Sequence, residues 1–349
     1  MESNKLLERV VELDASDLHI TTGAPPTFRV LGRLVPEGAA LTSADAEAFV
    51  RQILTESQWQ EFCRRGELDL PLSTRLSRFR VSAYHQRGSC AAALRTITPG
   101  IRSLSELGLP AMLSDLCMLP RGLVLVTGPT GSGKSTTLAA MIDVINERRN
   151  CHIMTLEDPI EYLHRHKRSI VNQREIGSDT ENYATGLRSV LRQDPDVILI
   201  GEMRDLDSIA IALTAAETGH LVFSTLHTIG AAQTIDRIID VFPPHQQGQI
   251  RVQLSTALQG VISQQLLPEM SGRKRVPALE IMLASPAIRN LIREEKIPQI
   301  NNAIHTSGAS GMVTMDMALV RLYRAGIISW DVCLEYCVEP ENLKRLVHL

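Results

Sequence analysis

Residues 128–136 read GPTGSGKST, and they directly follow the apolar run LVLVT at residues 123–127. The stretch matches G-x-x-x-x-G-K-[ST], in which glycines let backbone N–H groups converge on phosphate oxygens and the next helix adds its positive end. An apolar strand before the motif and the amphipathic run TTLAAMIDVIN after it supply the context that the motif requires. The predicted phosphate contacts are Gly128, Pro129, Thr130, Gly131, Ser132, Gly133, Lys134, Ser135 and Thr136.

Two residues of this loop have specific predicted roles. Lys134 is expected to reach the β- and γ-phosphates, and the Ser135 hydroxyl is expected to ligate Mg²⁺. The predicted cofactors are therefore ATP and Mg²⁺. A phosphate loop alone predicts only nucleotide binding, because hydrolysis also needs carboxylates that hold the metal and orient water.

Acidic residues follow two further apolar runs. Glu202 comes just after VILIG, although Gly201 stands where many ATPases carry Asp, and the segment TLEDPIE places Glu157 and Glu161 after another run. Any one of these acids could equally be a solvated group or a helix cap. Because the carboxyl ends of parallel strands meet at one edge of a sheet, the two acidic clusters together favour catalysis.

Two histidines, His220 and His227, flank a third apolar run, LVFSTL. A single histidine at a strand end is more often a structural group than a catalytic one. Beside the acidic clusters, however, these histidines are candidates for sensing the γ-phosphate.

The chain length of 349 residues favours two domains rather than one. Residues 1–98 mix strand and helix patterns and include the hairpin FRVSAYHQRGSCAAALRTI, which is predicted to turn at Arg87 and Gly88. Residues 99–109 have the composition of a linker. In residues 110–349, short apolar runs alternate with helical stretches, a pattern typical of a mostly parallel sheet covered on both faces. The part from about residue 270 onward is expected to be mainly helical.

Composition excludes several other classes of protein. The formal charge is −3 and only 4% of residues are aromatic, so no basic, aromatic surface for nucleic acid is indicated. The six cysteines contain no CxxC pair, which argues against a disulfide framework or a four-cysteine zinc site. Charged residues interrupt the N-terminal apolar positions, and no apolar run is long enough to span a membrane, so a cytoplasmic location is expected.

Several longer segments resemble the secretion-type, or VirB11-like, ATPases of type II and type IV secretion and of type IV pili. Within that superfamily the chain is most similar to the ATPases that retract type IV pili. The resemblance covers nearly the whole chain and rests on the following segments: ASDLHITTGAPPTFRVLGRL, GPTGSGKSTTLAAMID, TLEDPIEYLH, RQDPDVILIGEMRD, ETGHLVFSTLHT, PAIRNLIREEKI and GMVTMDMAL.

This resemblance implies a homohexameric ring, a PAS-like N-terminal domain and a RecA-like ATPase domain, with ATP bound between the two domains. It implies a Walker B role for Glu202, for which a preceding glycine is normal in this family, and a role in polarising water for Glu161 or Glu157. His220 and His227 would couple the γ-phosphate to neighbouring segments. In such rings a neighbouring domain or subunit often supplies positive charge; Arg80 and Arg95 are candidates, with ordinary surface arginines as the alternative.

The implied function is an ATP-driven motor that retracts type IV pili, and so powers twitching motility, by acting on an inner-membrane platform protein at its cytoplasmic face. Membrane association would then occur through partners only. The AIRNLIRE segment is expected to form a helix capped by Ser285, with Arg289 and Arg293 on a polar face tied to retraction. Two alternatives stay open: an assembly or secretion ATPase, and a regulatory switch that binds ATP with little turnover. The ring symmetry, the firing order, the platform contacts and a main or accessory motor role are not determined by the sequence.

Overall fold

The computed structural model describes residues 3–74, 77–97, 100–203, 205–272 and 274–348. The chain divides into two compact units, residues 1–100 and residues 101–349. The predicted linker, residues 99–109, overlaps this division. Two of its residues, Leu104 and Leu109, are buried among apolar residues of the second unit.

The described part of the first unit contains three helices and six strands: α1 (Ser3–Glu12), β1 (Asp17–Ile20), β2 (Thr27–Val30), β3 (Arg33–Pro36), α2 (Ser43–Ile53), α3 (Glu56–Arg65), β4 (Glu67–Ser73), β5 (Arg78–Gln86) and β6 (Ser89–Ile97). The strands form one antiparallel sheet in the order β3-β2-β1-β6-β5-β4. Val10, Phe49 and Phe62, one from each helix, are fully buried in a common core with Phe79 and Leu94 of the sheet. The unit is therefore an α+β module, as predicted.

The hairpin predicted at residues 79–97 is present as β5 and β6, which pair in register from Arg78 with Ile97 to Gln86 with Ser89. Its two turn residues, Arg87 and Gly88, both have positive φ, at 49° and 76°. Positive φ at both central positions is the signature of the type I′ turn that suits the twist of paired strands. The predicted turn is confirmed.

The described part of the second unit begins with α4 (Leu113–Cys117), β7 (Gly122–Thr127), α5 (Lys134–Arg148), β8 (His152–Glu157), β9 (Ile170–Glu175), α6 (Tyr183–Val190), β10 (Val197–Ile200), α7 (Leu206–Glu217) and β11 (Leu221–Leu226). It continues with α8 (Ala231–Asp240), α9 (Pro244–Ala257), β12 (Leu258–Pro268), β13 (Arg275–Leu283), α10 (Pro286–Arg293), α11 (Ile300–Thr306), α12 (Met315–Arg324), α13 (Trp330–Tyr336) and α14 (Pro340–His348). Short 3₁₀ turns lie at Ile297–Gln299 and Gly308–Ser310.

The strands of this unit form a sheet in the order β13-β12-β7-β11-β10-β8-β9, in which every neighbouring pair is parallel except β12 with β13. Successive residues of β7 enter different apolar layers: Leu123 and Leu125 join one cluster, whereas Val124 and Val126 join the other. Both faces of the sheet are therefore covered, as the continuous apolar runs predict. The carboxyl ends of β7, β8, β10 and β11 consequently lie at one edge.

The region from about residue 270, which was expected to be mainly helical, begins with a strand that the sequence analysis did not predict. Strand β13 occupies Arg275–Leu283 and pairs with the long strand β12; the helices resume only at Pro286. Ser263, Gln264 and Gln265 interrupt the apolar pattern of β12, although all three are buried. In β13 itself, Pro277 and the buried Glu280 interrupt the apolar pattern in the same way, so neither strand resembles a core strand in sequence.

Among the described residues, no helix combines the length and the apolar character that crossing a membrane requires.

Candidate nucleotide-binding site

Three glycines shape the loop between β7 and α5. Gly128, Gly131 and Gly133 have φ values of 139°, 80° and 88°, which side-chain-bearing residues rarely adopt. Gly133 is the N-cap of α5 and supplies no side-chain cap. The N–H groups of the first turn therefore point out of the helix, as an anion site requires.

A buried glutamine on a neighbouring strand supports this loop. Gln264 of β12 donates from Nε2 to the Ser132 carbonyl oxygen at 2.6 Å, and its Oε1 accepts from the Thr137 hydroxyl at 2.7 Å. A Cβ atom at Gly128 would collide with the Gln264 carbonyl oxygen, and one at Gly133 would lie 2.8 Å from its Nε2. The glycines are thus needed both for backbone conformation and for close contact with Gln264.

Lys134, the first residue of α5, is only 9% exposed. Its Nζ donates to the carbonyl oxygens of Gly128 at 2.8 Å and Pro129 at 3.0 Å. Burial lowers the pKa of Lys134, and the negative charges of Glu202 and Glu161 oppose that change. The phosphate-loop lysine and two of the predicted acids therefore share one electrostatic environment.

Glu157, at the end of β8, is held by two neighbours. Its Oε1 accepts from the Thr155 hydroxyl at 2.6 Å and from Gln173 Nε2 at 3.0 Å. Burial raises the pKa of Glu157 despite these bonds, and the charge of Glu161 adds to the increase. A carboxylate with a raised pKa is a better proton acceptor near neutral pH.

The end of β10 carries Glu202, whose Oε2 lies 3.2 Å from His227 Nε2 at the end of β11. The Glu202 side chain is 12% exposed and that of His227 is 52% exposed. The pair thus joins a nearly buried acid to a histidine that faces solvent. Both residues follow the carboxyl ends of their strands, at the edge of the sheet where the phosphate loop follows β7.

The glycine before Glu202 has a steric explanation. A Cβ atom at Gly201 would lie 2.9 Å from the Tyr183 hydroxyl oxygen and 3.3 Å from the Leu156 carbonyl oxygen. The Gly201 N–H also donates to that same carbonyl at 2.7 Å. No side chain fits here unless a neighbour moves.

A cleft of about 640 Å³ connects these groups within the second unit. Its lining includes the predicted residues Thr130, Gly131, Gly133, Lys134, Ser135, Thr136, Glu157, Glu161, Glu202 and His227. It also includes Arg102, Tyr162 and Arg275, which the sequence analysis did not single out. Tyr162 contacts the first turn of α5, since its hydroxyl oxygen lies 2.7 Å from the Thr136 hydroxyl oxygen.

His220 lies away from this cleft. It precedes β11 at the amino end of the strand, where its carbonyl accepts from the Gly122 N–H and its Nδ1 lies 3.0 Å from the Ala215 carbonyl oxygen. His227 follows the carboxyl end of the same strand. The structure therefore brings only one of the two predicted histidines to the phosphate loop.

Arg80 and Arg95 are direct cross-strand partners on β5 and β6 of the first unit. Arg95 donates from Nε to Asp17 Oδ1 at 3.0 Å. Burial opposes ionisation of Asp17, but hydrogen bonds from Ser16 and Arg95 outweigh it, and the pKa of Asp17 is lowered. Arg95 already has an ion-pair partner, and the role of both arginines in catalysis stays a prediction.

The described residues contain no cluster of three or more histidine, cysteine, aspartate or glutamate side chains placed to hold a metal ion. The oxygen ligands that line the cleft include the Ser135 hydroxyl and the carboxylates of Glu157, Asp158, Glu161 and Glu202. These are hard oxygen ligands of the kind that Mg²⁺ prefers, and Mg²⁺ is usually bound by only one or two of them together with substrate phosphates.

The parallel sheet, the phosphate loop and the strand-end acids define a P-loop nucleotide-binding protein of the α/β class. A family model described as "Type II/IV secretion system protein" matches residues 2–321, and the chain belongs to that family.

Two curated relatives are similar over most of their length. The chain is 48% identical to "Type IV pilus retractation ATPase PilT" of Pseudomonas aeruginosa over 348 residues, which cover 98% of this chain and 100% of the relative. It is 49% identical to "Twitching motility protein" of Neisseria gonorrhoeae over 323 residues, covering 91% of this chain and 86% of the relative. Among solved structures, the pilus retraction motor PilT with bound ADP matches with a TM-score of 0.93 at 46% identity, covering 99% of both chains.

Proposed function

We propose that this chain is an ATP-hydrolysing motor subunit that drives retraction of type IV pili and thereby twitching motility. Support for hydrolysis comes from one arrangement above all: the phosphate loop, Glu157 and the Glu202–His227 pair lie at a single edge of the sheet. Support for retraction comes from the full-length similarity to a pilus retraction ATPase and to a twitching motility protein.

In this proposal the loop amides and Lys134 bind the β- and γ-phosphates. Ser135 and the nearby carboxylates would hold Mg²⁺, which would neutralise phosphate charge and leave the γ-phosphate open to attack. Glu157 or Glu161 would orient the attacking water and accept its proton; burial raises the pKa of Glu157, which makes its carboxylate a more basic proton acceptor than an ordinary glutamate. The products are ADP and inorganic phosphate.

Glu202 would take the Walker B role beside the proposed Mg²⁺ site, and His227 would report the presence of the γ-phosphate. Glu202 is nearly buried and shares the electrostatic environment of Lys134, while His227 carries the contact outward to the loop before α8. His220 has no part in this proposal, because it lies at the other end of β11. Arg80 and Arg95 are retained as proposed sources of positive charge for the transition state.

The proposed assembly is a homohexameric ring that acts on an inner-membrane platform protein from the cytoplasmic side. It would reach the membrane through that partner.

Phosphate release by the purified full-length protein tests the enzymatic part. The Glu202→Gln variant is expected to lose turnover by a factor on the order of 100 while still binding ATP, since the loop is intact. ATP binding by the wild type without Glu202-dependent turnover would support a regulatory switch instead.

Deletion of the gene in its native host tests the biological part. The expected result is an excess of surface pili that do not retract, with loss of twitching. Cells without pili would point to an assembly ATPase and would contradict the proposed direction of movement.

A further inference from the structure

Glu280, on β13, joins the first turns of two helices. Its side chain is 4% exposed; Oε1 accepts from the Ala231 N–H at 2.7 Å, and Oε2 accepts from the Met315 N–H at 3.3 Å. Ala231 is the first residue of α8 and Met315 is the first residue of α12. One carboxylate thus satisfies amides at two helix N-termini, where negative charge is favoured.

The chemistry of this contact requires a carboxylate. Both oxygens of Glu280 act as acceptors, whereas the amide of a glutamine offers one acceptor and one donor group. Burial raises the pKa of Glu280, and the two backbone N–H bonds oppose this change. A Glu280→Gln variant has nearly the same shape, but its NH₂ group would face one of the two backbone N–H groups.

The bond from the Ala231 N–H to Glu280 lies close in sequence to the nucleotide cleft. Helix α8 begins four residues after His227, whose Nε2 lies 3.2 Å from Glu202. Ser263, the cross-strand partner of Glu280, accepts from the Gly230 N–H at 2.8 Å. The β12–β13 hairpin therefore holds two consecutive amides at the end of the His227 loop.

The bond from the Met315 N–H to Glu280 lies at the start of the C-terminal helices. Asp316, next to Met315 and also 4% exposed, accepts from the Val338 N–H at 2.8 Å and from the Glu339 N–H at 3.1 Å. These two amides immediately precede α14. A short series of buried carboxylate–amide bonds thus connects the His227 loop, the start of α12 and the start of α14.

We propose that Glu280 and Asp316 form a coupling link through which the nucleotide site and the C-terminal helices α12–α14 influence each other. Glu280 is a positioning residue in this link, because it acts through the loop that carries His227. The inference rests on the proposed ATPase function and adds the route by which nucleotide binding reaches the C-terminal helices. Since coupling is reciprocal, breaking the link at either end should weaken the response of the other end to nucleotide.

Hydrogen exchange of the full-length protein, with and without ADP, measures the link directly. In the wild type we expect ADP to slow exchange in peptides that contain the phosphate loop and in those that span residues 315–339. In Glu280→Gln, the loop peptides should remain protected by ADP, whereas the ADP-dependent protection of residues 315–339 should be lost. We also expect kcat for ATP to fall about tenfold with KM within about fivefold, the size of a modest coupling.

A purely structural role for Glu280 predicts a different outcome. The control is Leu319→Ala, which removes a buried apolar side chain from α12 without touching the link. This variant should lower the Tm while keeping both the ADP-dependent protection and the wild-type kcat. If Glu280→Gln behaves like this control, the proposal is wrong.

Asp316→Asn tests the same link from its other end, and it takes the place of Glu280→Gln if that variant does not fold. It should also lose protection of residues 338–339 by ADP. The wild type alone can overturn the inference: ATP turnover without ADP-dependent protection of residues 315–339 would contradict the link and leave the proposed function intact. A wild type that binds ADP with that protection but shows no turnover would contradict the ATPase proposal and leave the link standing.

Discussion

Replacement of Gln264 by methionine should weaken nucleotide binding, although this residue does not belong to the phosphate-loop motif. Methionine keeps the length and much of the volume of glutamine, so the packing of β12 is largely preserved. What is lost is the bond to the Ser132 carbonyl and the bond from the Thr137 hydroxyl.

The magnitude follows from burial. A buried polar group that loses its partner costs about 1–3 kcal/mol, and the Thr137 hydroxyl can turn toward another acceptor, so we expect a total of about 2–4 kcal/mol. Only the part of this free energy that holds the loop in its nucleotide-binding conformation changes the affinity for ADP. If that part is half, the Kd for ADP rises about 5- to 30-fold, since 1.4 kcal/mol corresponds to a factor of ten.

Calorimetric titration with ADP measures this change, and the neighbouring residue supplies the control. Gln265 lies on the same strand and is also buried, but its Nε2 makes a long bond of 3.4 Å to the Tyr336 carbonyl oxygen. Gln265→Met should leave the Kd within about twofold of the wild type. Equal affinities for Gln264→Met and Gln265→Met would refute the idea that Gln264 shapes the loop.

Three further predictions concern other parts of the second unit. Gly128→Ala should abolish ADP binding in the same titration, because its Cβ would collide with the Gln264 carbonyl oxygen, whereas a Cβ at Gly131 meets no protein atom within 4 Å, so Gly131→Ala should cost the free protein only about 1–2 kcal/mol of conformational strain. Burial lowers the pKa of His164 to about 4 from 6.5, so stability should fall as pH drops below 6.5. Between pH 7.5 and pH 5 the loss from this group is about 2 kcal/mol; a urea unfolding series should show that pH dependence in the wild type and not in His164→Gln. Arg289→Met should lower the Tm by several degrees, because Arg289 donates to the last carbonyls of α9 and to a neighbouring amide; an unchanged Tm would contradict this role.

The phosphate loop and the strand-end acids could be predicted from sequence because each is a local pattern. An apolar run followed by glycines and Lys134, or by Glu202, specifies both the strand and the edge at which the polar residue lies. The parallel sheet followed from the same runs. These features need no knowledge of which distant segments touch.

Gln264 and Glu280 could not be predicted in this way, because their roles depend on contacts across more than thirty residues of sequence. Gln264 bonds to Ser132, which is 132 positions away, and Glu280 bonds to Ala231, which is 49 positions away. For Gln264, the available signal was a set of polar residues inside an otherwise apolar stretch, VISQQLL at residues 261–267; for Glu280 it was a single acid between apolar residues in ALEIML. In a buried strand, such residues must have partners.

The AIRNLIRE helix shows where a local pattern predicted the element but not the use of its side chains. Ser285 caps the helix as predicted, with its hydroxyl accepting from the Ile288 N–H. Arg289, expected on a polar face of the helix, donates to the Ser255 and Thr256 carbonyl oxygens. Arg293 is exposed, whereas Arg289 is partly buried, so Arg293 is the more accessible of the two arginines on this face.

The two histidines around β11 show why a flanking position in sequence is weak evidence for a site. Each residue of a strand advances it by about 3.3 Å, so the two ends of a six-residue strand lie about 20 Å apart. In a parallel sheet, only the carboxyl end of each strand lies beside the phosphate loop. The direction of β11, which its parallel pairing with β7 establishes, therefore separates the two histidines: they flank the strand symmetrically in sequence, but only His227 lies at the edge that carries the phosphate loop.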